Sequence, residues 1–222
     1  MPRVIEKTVF KFDELNDRAK EKAREWWRQG CCQDWEPNFW EFEDCAKKLG
    51  IEFAKRKRQC QAPNIYDPDI NYSVGDRGEF CVFAGSWTYR PEAVDDITAD
   101  GWTDTTLLDI ANELQRAWVA VAMAGGTTLT ARMTTRSRGC SSMSMDIEPE
   151  SDMPDVLDED GFSEHGLIPQ LAAETVGECM TDFAGWMLKQ MSDDYEYQYS
   201  DECVDEALIS NEYEFDEDGR RV

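Results

Sequence analysis

The side chains able to do chemistry are plentiful in this sequence and poorly spaced for it. Eight cysteines (Cys31, Cys32, Cys45, Cys60, Cys81, Cys140, Cys179 and Cys203) accompany a single histidine, His165. A structural zinc ion takes its ligands in closely spaced pairs, because each pair closes a small chelate ring on a tetrahedral ion. Here Cys31 and Cys32 are adjacent, Cys45 and Cys60 stand unpaired, and no thiol neighbours His165, so the spacing speaks against zinc. Irregular cysteines in a chain of 222 residues read as reduced, mostly buried thiols. The segments Asp158-Glu159-Asp160-Gly161 and Asp216-Glu217-Asp218-Gly219 look like the acidic start of an EF-hand loop. Setting Gly161 at the loop's glycine position puts Val156 where the first ligand belongs, and Gly219 there leaves no room for the closing glutamate, so both read as acidic turns.

As a general base, His165 would need a positioned nucleophile, and no G-x-S-x-G setting supplies one. Gly125-Gly126 lacks the Lys-Ser/Thr that completes a phosphate loop and reads as a helix stop. Among 47 acids, any carboxylate pair can be imagined, so pairing for hydrolysis discriminates nothing. The expectation is a binding protein, not an enzyme, with no metal and no cofactor.

What the acids do offer is charge, and it is polarised. Residues 1–61 hold 14 Lys/Arg against 12 Asp/Glu, residues 62–145 hold 6 against 11, and residues 146–222 hold 3 against 24, within a net charge of −24. An acidic face can serve solubility alone, but adaptation to salt would acidify the whole surface, whereas the first 61 residues are slightly basic. Duplex DNA carries one charge per about 1.7 Å, so the net charge of the last third matches roughly one helical turn, about 36 Å, which a chain of this size can display. The candidate partner-binding residues are therefore Asp155, Asp158, Glu159, Asp160 and Glu164, followed by Asp193, Asp194, Glu196, Asp201, Glu202, Asp205 and Glu206. Such a line would fit the groove of a basic nucleic-acid-binding protein or complex and be steered to it. Nucleic acid itself is not an expected partner. Trp26, Trp27, Trp35, Phe39, Trp40 and Phe42 precede the basic run Lys55-Arg56-Lys57-Arg58, but most of them fall on helical core stripes, and the overall charge repels phosphates.

The elements that must position these residues follow from periodicity. Residues 8–12 alternate like a strand, and Asp13 or Asn16 then caps a helix with Leu15, Ala19, Ala23 and Trp26 on one face, ended by Gly30. A second helix starts near Asp34 or Pro37, carries Trp35, Phe39, Phe42, Ala46 and Leu49 inward, and closes at Gly50. Residues 65–72 and 79–89 flank a turn and form a hairpin; residues 104–123 form a helix stopped at Gly125. Residues 127–135 and 141–147 make a second hairpin, and 146–160 an acidic loop without period. A long helix over 167–191 presents Leu171, Val176, Cys179, Phe183, Trp186 and Met187, Ser200 caps a last helix ended by Asn211, and Tyr213 and Phe215 form a closing edge strand. The expected architecture is a single α+β domain over 1–222: an antiparallel sheet built from hairpins with helices packed on one face. Within it lie an N-terminal helical part (1–61), a central hairpin and helix part (62–145) and the acidic part (146–222). No run approaches the roughly 18 apolar residues of a membrane span, and the first residues lack the apolar core of a secretory signal, so the expected location is the cytoplasm.

Residues 12–20 (FDELNDRAK) with Trp26, residues 78–89, and residues 195–221 (YEYQYSDECVDEALISNEYEFDEDGRR) resemble a group of poorly characterised phage and prophage proteins, some labelled antitoxin-like. The resemblance implies a mobile-element context and assigns no site residue. Acidic proteins of that context resemble inhibitors of host nucleic-acid-targeting defence, anti-CRISPR or anti-restriction proteins, which agrees with the charge reading. The alternative is an antitoxin-like module that covers a protein toxin through exposed rings such as Trp27 and Trp40.

Overall fold

The computed structural model describes residues 7–30, 36–57, 66–75, 78–101, 105–137, 143–152 and 167–222, with backbone only at 167–169. These residues are α+β, and their contacts fall into two compact units: residues 1–37 with 191–222, and residues 38–190. The division follows a different line from the charge: it closes the two ends of the chain onto each other and splits the acidic third at residue 190.

In the first unit, β1 (Phe10–Lys11) pairs antiparallel with β10 (Glu214–Phe215), bringing the ends together. A 3-10 turn (Phe12–Glu14) leads into α1 (Asp17–Gly30), where Asn16 Oδ1 accepts a bond from the Ala19 N–H at 3.1 Å and so caps the helix. The stripe Leu15, Ala19, Ala23 is buried against Val204 and Leu208 of α6 (Asp201–Ser210) and against Phe12 and Phe215. Trp26 lies half-buried at the margin of this core, edge-on to Tyr213 (5.4 Å) and Phe215 (6.1 Å), with the Arg221 guanidinium over both Trp26 and Tyr213. Gly219 adopts φ +81° and lies so close to α1 that a Cβ there would stand 2.0 Å from the Ala19 carbonyl oxygen.

The second unit is organised around a four-stranded antiparallel sheet, β2 (Ile51–Phe53), β7 (Gly85–Thr88), β8 (Leu129–Ser137) and β9 (Met143–Ser151), in that order. Two strands continue past it, and a third joins them. β2 runs on through Ala54 into β3 (Lys55–Lys57), β4 (Tyr66–Pro68) through Asp69 into β5 (Ile70–Ser73), and β6 (Phe80–Phe83) through Ala84 into β7. Each strand changes partner at its linking residue: β3 pairs with β4, β5 with β6, and β2 with β7. The linkers bond in a ring, Ala54 N–H to Ala84 O (2.8 Å), Ala84 N–H to Asp69 O (2.9 Å) and Asp69 N–H to Ala54 O (2.7 Å), so the three-way crossing leaves none of these amides unsatisfied.

Along β8, Leu129, Ala131 and Met133 are buried and alternate with more exposed neighbours, which marks one covered face. α5 (Leu167–Tyr199) covers it: Phe183 stacks on Phe53 (6.4 Å) and meets Phe83 edge-on (5.9 Å). α2 (Phe39–Leu49) joins through Phe42 against Trp186, and the buried Trp87 indole donates to the Leu49 carbonyl at 2.9 Å. Gly50 ends α2 in the left-handed region, as its position predicts. α3 (Ala93–Asp100) and α4 (Thr106–Met123) complete the unit.

Several boundaries differ from the sequence expectation. Residues 146–151 continue β9 instead of opening the acidic loop: Asp146, Glu148 and Glu150 alternate with Ile147 and Pro149, and pairing with β8 supplies the order that the acidic composition conceals. α5 runs eight residues beyond 191, and its Leu171 is 59% exposed, the inward stripe beginning at Ala172 instead. α3 lacks a sequence signal because only Ala93 and Ile97 turn inward. Trp35 and His165 lie outside the described residues.

Candidate partner-binding surface

Ser200 creates the surface by breaking the chain between two helices. Its hydroxyl donates to the Tyr197 carbonyl (2.7 Å) and accepts from the Cys203 N–H (3.2 Å), so α5 ends at Tyr199 and α6 begins at Asp201. Asp201 and Glu202 thereby occupy the first turn of α6, where the helix dipole favours carboxylates.

Arginines of α1 hold this corner. Arg24 grips Asp205 through two parallel bonds, Nε to Oδ1 at 2.6 Å and Nη2 to Oδ2 at 2.7 Å, and its third nitrogen lies 3.3 Å from Asp201. Arg28 bonds Asp201 and donates to the Tyr199 carbonyl at 3.0 Å. A forked guanidinium on a carboxylate is the strong form of ion pair, and it holds the Arg24 group charged far beyond its ordinary range, the Asp205 hydrogen bond being the main cause. Asp201 and Asp205 thus have an internal task.

The remaining acids face outward. Asp193, Asp194, Glu196, Glu202 and Glu206 are exposed, and among the described residues no Lys or Arg pairs with Glu196, Glu202 or Glu206. Tyr197 stands among them, 52% exposed, one helical turn from Asp193. Its phenol is pushed above the ordinary tyrosine range, first by Glu206, with Cys203, burial and Glu202 adding, so the α6 carboxylates act on it electrostatically. The arrangement offers an exposed ring rimmed by negative charge, able to take a lysine or arginine side chain by ion pairing and by contact with the ring face.

Of the sequence-predicted residues, the structure gathers Asp193, Asp194, Glu196, Asp201, Glu202, Asp205 and Glu206 in the first unit. Asp155, Asp158, Glu159, Asp160 and Glu164 lie outside the described residues. Tyr197 adds nothing to the charge pattern from which the sequence expectation is built; its register with Asp193 on α5 is the signal that marks it. Of the two rings expected to be exposed, Trp27 is half-buried against Tyr213, and Trp40, on α2 in the second unit, is 72% exposed. The run Lys55-Arg56-Lys57 is a strand whose charge is largely answered locally, with Lys55 on Glu43 and Arg56 3.6 Å from Asp69. Cys45, Cys81 and Cys179 are free and buried, and burial pushes each thiol up to about 12. Among the described residues, no cluster of three His, Cys, Asp or Glu is placed to hold a metal ion, and no helix is long and apolar enough to cross a membrane.

Neither the curated proteins nor the solved structures contain a match to the chain. A family model, Domain of unknown function (DUF8835), matches residues 35–201, which is more than half of the sequence and takes in the whole second unit, and the chain belongs to that family.

Proposed function

We propose that this protein is a non-catalytic inhibitor that captures a basic nucleic-acid-binding protein through the carboxylate face around Tyr197, occupying the surface that otherwise holds phosphates. The observation that carries the reading is the exposed Tyr197 ring, one helical turn from Asp193, together with the exposed Glu202 and Glu206 of the helix that Arg24 and Arg28 hold through Asp205, Asp201 and the Tyr199 carbonyl. Residues 191–222 carry 12 acids against two arginines, so the field around the ring is negative and steers cations toward it. The mobile-element resemblance makes a nucleic-acid-targeting defence enzyme or complex the favoured partner, as for anti-CRISPR or anti-restriction proteins.

The test is affinity capture from host lysate, with wild type beside a Glu196→Gln, Glu202→Gln, Glu206→Gln variant, followed by elution with duplex DNA. A nucleic-acid-binding protein held only by wild type, and displaced by DNA or salt, supports the reading. Equal capture by both proteins, resistant to DNA, refutes it. Trp40 favours a second reading, an antitoxin-like module bound through an aromatic hot spot: that interface tolerates salt and is lost in Trp40→Ala.

A further inference from the structure

The four-stranded sheet of the second unit ends on the nine-residue β9, with no strand hydrogen-bonded beyond it among the described residues, and the backbone there has a definite direction. The Tyr89 N–H donates to the Leu129 carbonyl, and the Thr88 N–H to that of Gly50. In an antiparallel ladder both groups of a residue point to the same side and alternate along the strand. Leu129, Ala131 and Met133 therefore bond toward β7, and Thr130, Arg132, Thr134 and Arg136 toward β9. Their β9 partners are Glu150, Glu148, Asp146 and Ser144, so the N–H and C=O groups of Met143, Met145 and Ile147 point away from the sheet, as does the carbonyl of Pro149. Pro149, which has no N–H to offer, occupies a position where the ladder needs none, as edge-strand prolines do. Among the described residues, no strand is hydrogen-bonded to the outer side of β9, although β6 packs near it.

The two faces at this edge differ in chemistry. Met145 and Ile147 lie on the covered face, opposite Thr135 and the buried Met133, and are themselves only half-buried. Asp146 and Glu148 lie on the outer face, where Arg136 reaches Asp146 at 3.2 Å and Arg132 stands opposite Glu148. The row of opposite charges is thus in mid-alternation when the sheet stops.

We infer that the β9 edge is a strand-addition site for an extended segment of a partner protein in which apolar and basic side chains alternate. An antiparallel strand bonded to Met145 and Ile147 places its apolar residues beside them, on the covered face, and its lysines or arginines beside Asp146 and Glu148. A second copy fits badly, because pairing centred on Ile147 sets Asp146 of one chain opposite Glu148 of the other, and both chains carry −24. This surface belongs to the second unit and does not depend on the Tyr197 face.

The experiment uses a fluorescein-labelled peptide of about ten residues alternating lysine and valine, with anisotropy as the readout. Two further peptides are its isomer with the lysines and valines in separate blocks and a form N-methylated on the valines, which keeps the charge and removes the donors. The full-length protein is expected to bind the alternating peptide at least about ten-fold tighter than either control, and Asp146→Lys with Glu148→Lys to weaken it by about ten-fold. Ile147→Pro, which removes one outward N–H and leaves the β8 ladder intact, is expected to weaken it similarly, while Glu202→Gln with Glu206→Gln leaves the preference over the N-methylated form unchanged. Equal binding of the N-methylated and parent peptides to wild type overturns the proposal, as does a dimer of the protein, seen in sedimentation, that Ile147→Pro dissociates.

Discussion

Replacing Gly219 with alanine tests the closure of the first unit on two terms that can be separated. The residue sits at φ +81°, where an L side chain costs about 1–2 kcal/mol. The new Cβ would also stand 2.0 Å from the Ala19 oxygen, 2.7 Å from its carbonyl carbon and 2.9 Å from its Cα. All three are backbone atoms on the buried face of a helix, so no rotamer change relieves the clash, and overpacking of this kind costs about 1–3 kcal/mol more. A total of about 3 kcal/mol is a large part of a typical domain's stability and corresponds to about 100-fold in an opening equilibrium. Gly125→Ala supplies the control: its φ is +92° but nothing lies within 4 Å of the added carbon, so it meets the conformational term alone. Amide exchange followed by mass spectrometry is expected to show α1 and α6 opening about 100-fold more readily in Gly219→Ala, with α4 unchanged. Wild-type protection of α1 would refute the packing argument, and equal acceleration in α4 would refute a cause confined to the contact between Gly219 and Ala19.

Two further predictions concern charge. Arg24→Ala is expected to cost about 2 kcal/mol in urea unfolding, because Asp205 loses both bonds of its fork in a partly buried site, and Arg24→Lys recovers only part of this, since an ammonium restores charge but not the planar pairing. Asp152 accepts from the Thr127 and Thr128 N–H groups at 2.7 Å and from the Thr127 hydroxyl, and these bonds hold its carboxyl well below the ordinary range, that hydroxyl first. A depressed folded value adds stability that is complete above the unfolded carboxylate value of about 4 and is lost as pH falls toward the folded one. Asp152→Asn is accordingly expected to lower the melting temperature at pH 7 and to narrow its gap from wild type as the buffer is taken below about 4. A gap that is constant with pH would show that the carboxylate's charge has no role at this end of the hairpin.

Local rules were legible wherever one residue decided the outcome. Asn16 and Ser200 cap helices, Gly50 ends one, and Leu15, Ala19 and Ala23 before and along α1 and Phe42, Ala46 and Leu49 of α2 are buried as their spacing predicts, while Trp26 and Phe39 are half-buried. Features set by tertiary partners were not legible. The crossing at Ala54, Asp69 and Ala84 leaves no mark, because a strand that changes partner keeps the same alternation on both sides of the change. The continuation of β9 past Ile147 hid inside an acidic run because its acids are the outward half of a period of two. In the candidate surface, sequence found the carboxylates but not which were already engaged: Asp201 and Asp205 look like Glu202 and Glu206 until Arg24 and Arg28 are seen to arrive from a helix far away in the chain.

The family match separates the two binding surfaces in a way the charge alone does not. Residues 35–201 include β9, Trp40 and all of the second unit, but stop before Glu202 and Glu206 and omit α1 with the arginines that fix the Tyr197 corner. A corner built half from residues outside the matched region cannot be transferred to a relative by membership alone, since without Arg24 and Arg28 the carboxylates of α6 would have no fixed geometry. The β9 edge is different: its strand and the arginines of β8 beside it lie within the match. Peptide binding at that edge is therefore the property to look for in other members, and cation capture at Tyr197 the property to look for in chains that also carry the closing pattern from Tyr213 to Arg221 packed on Trp26.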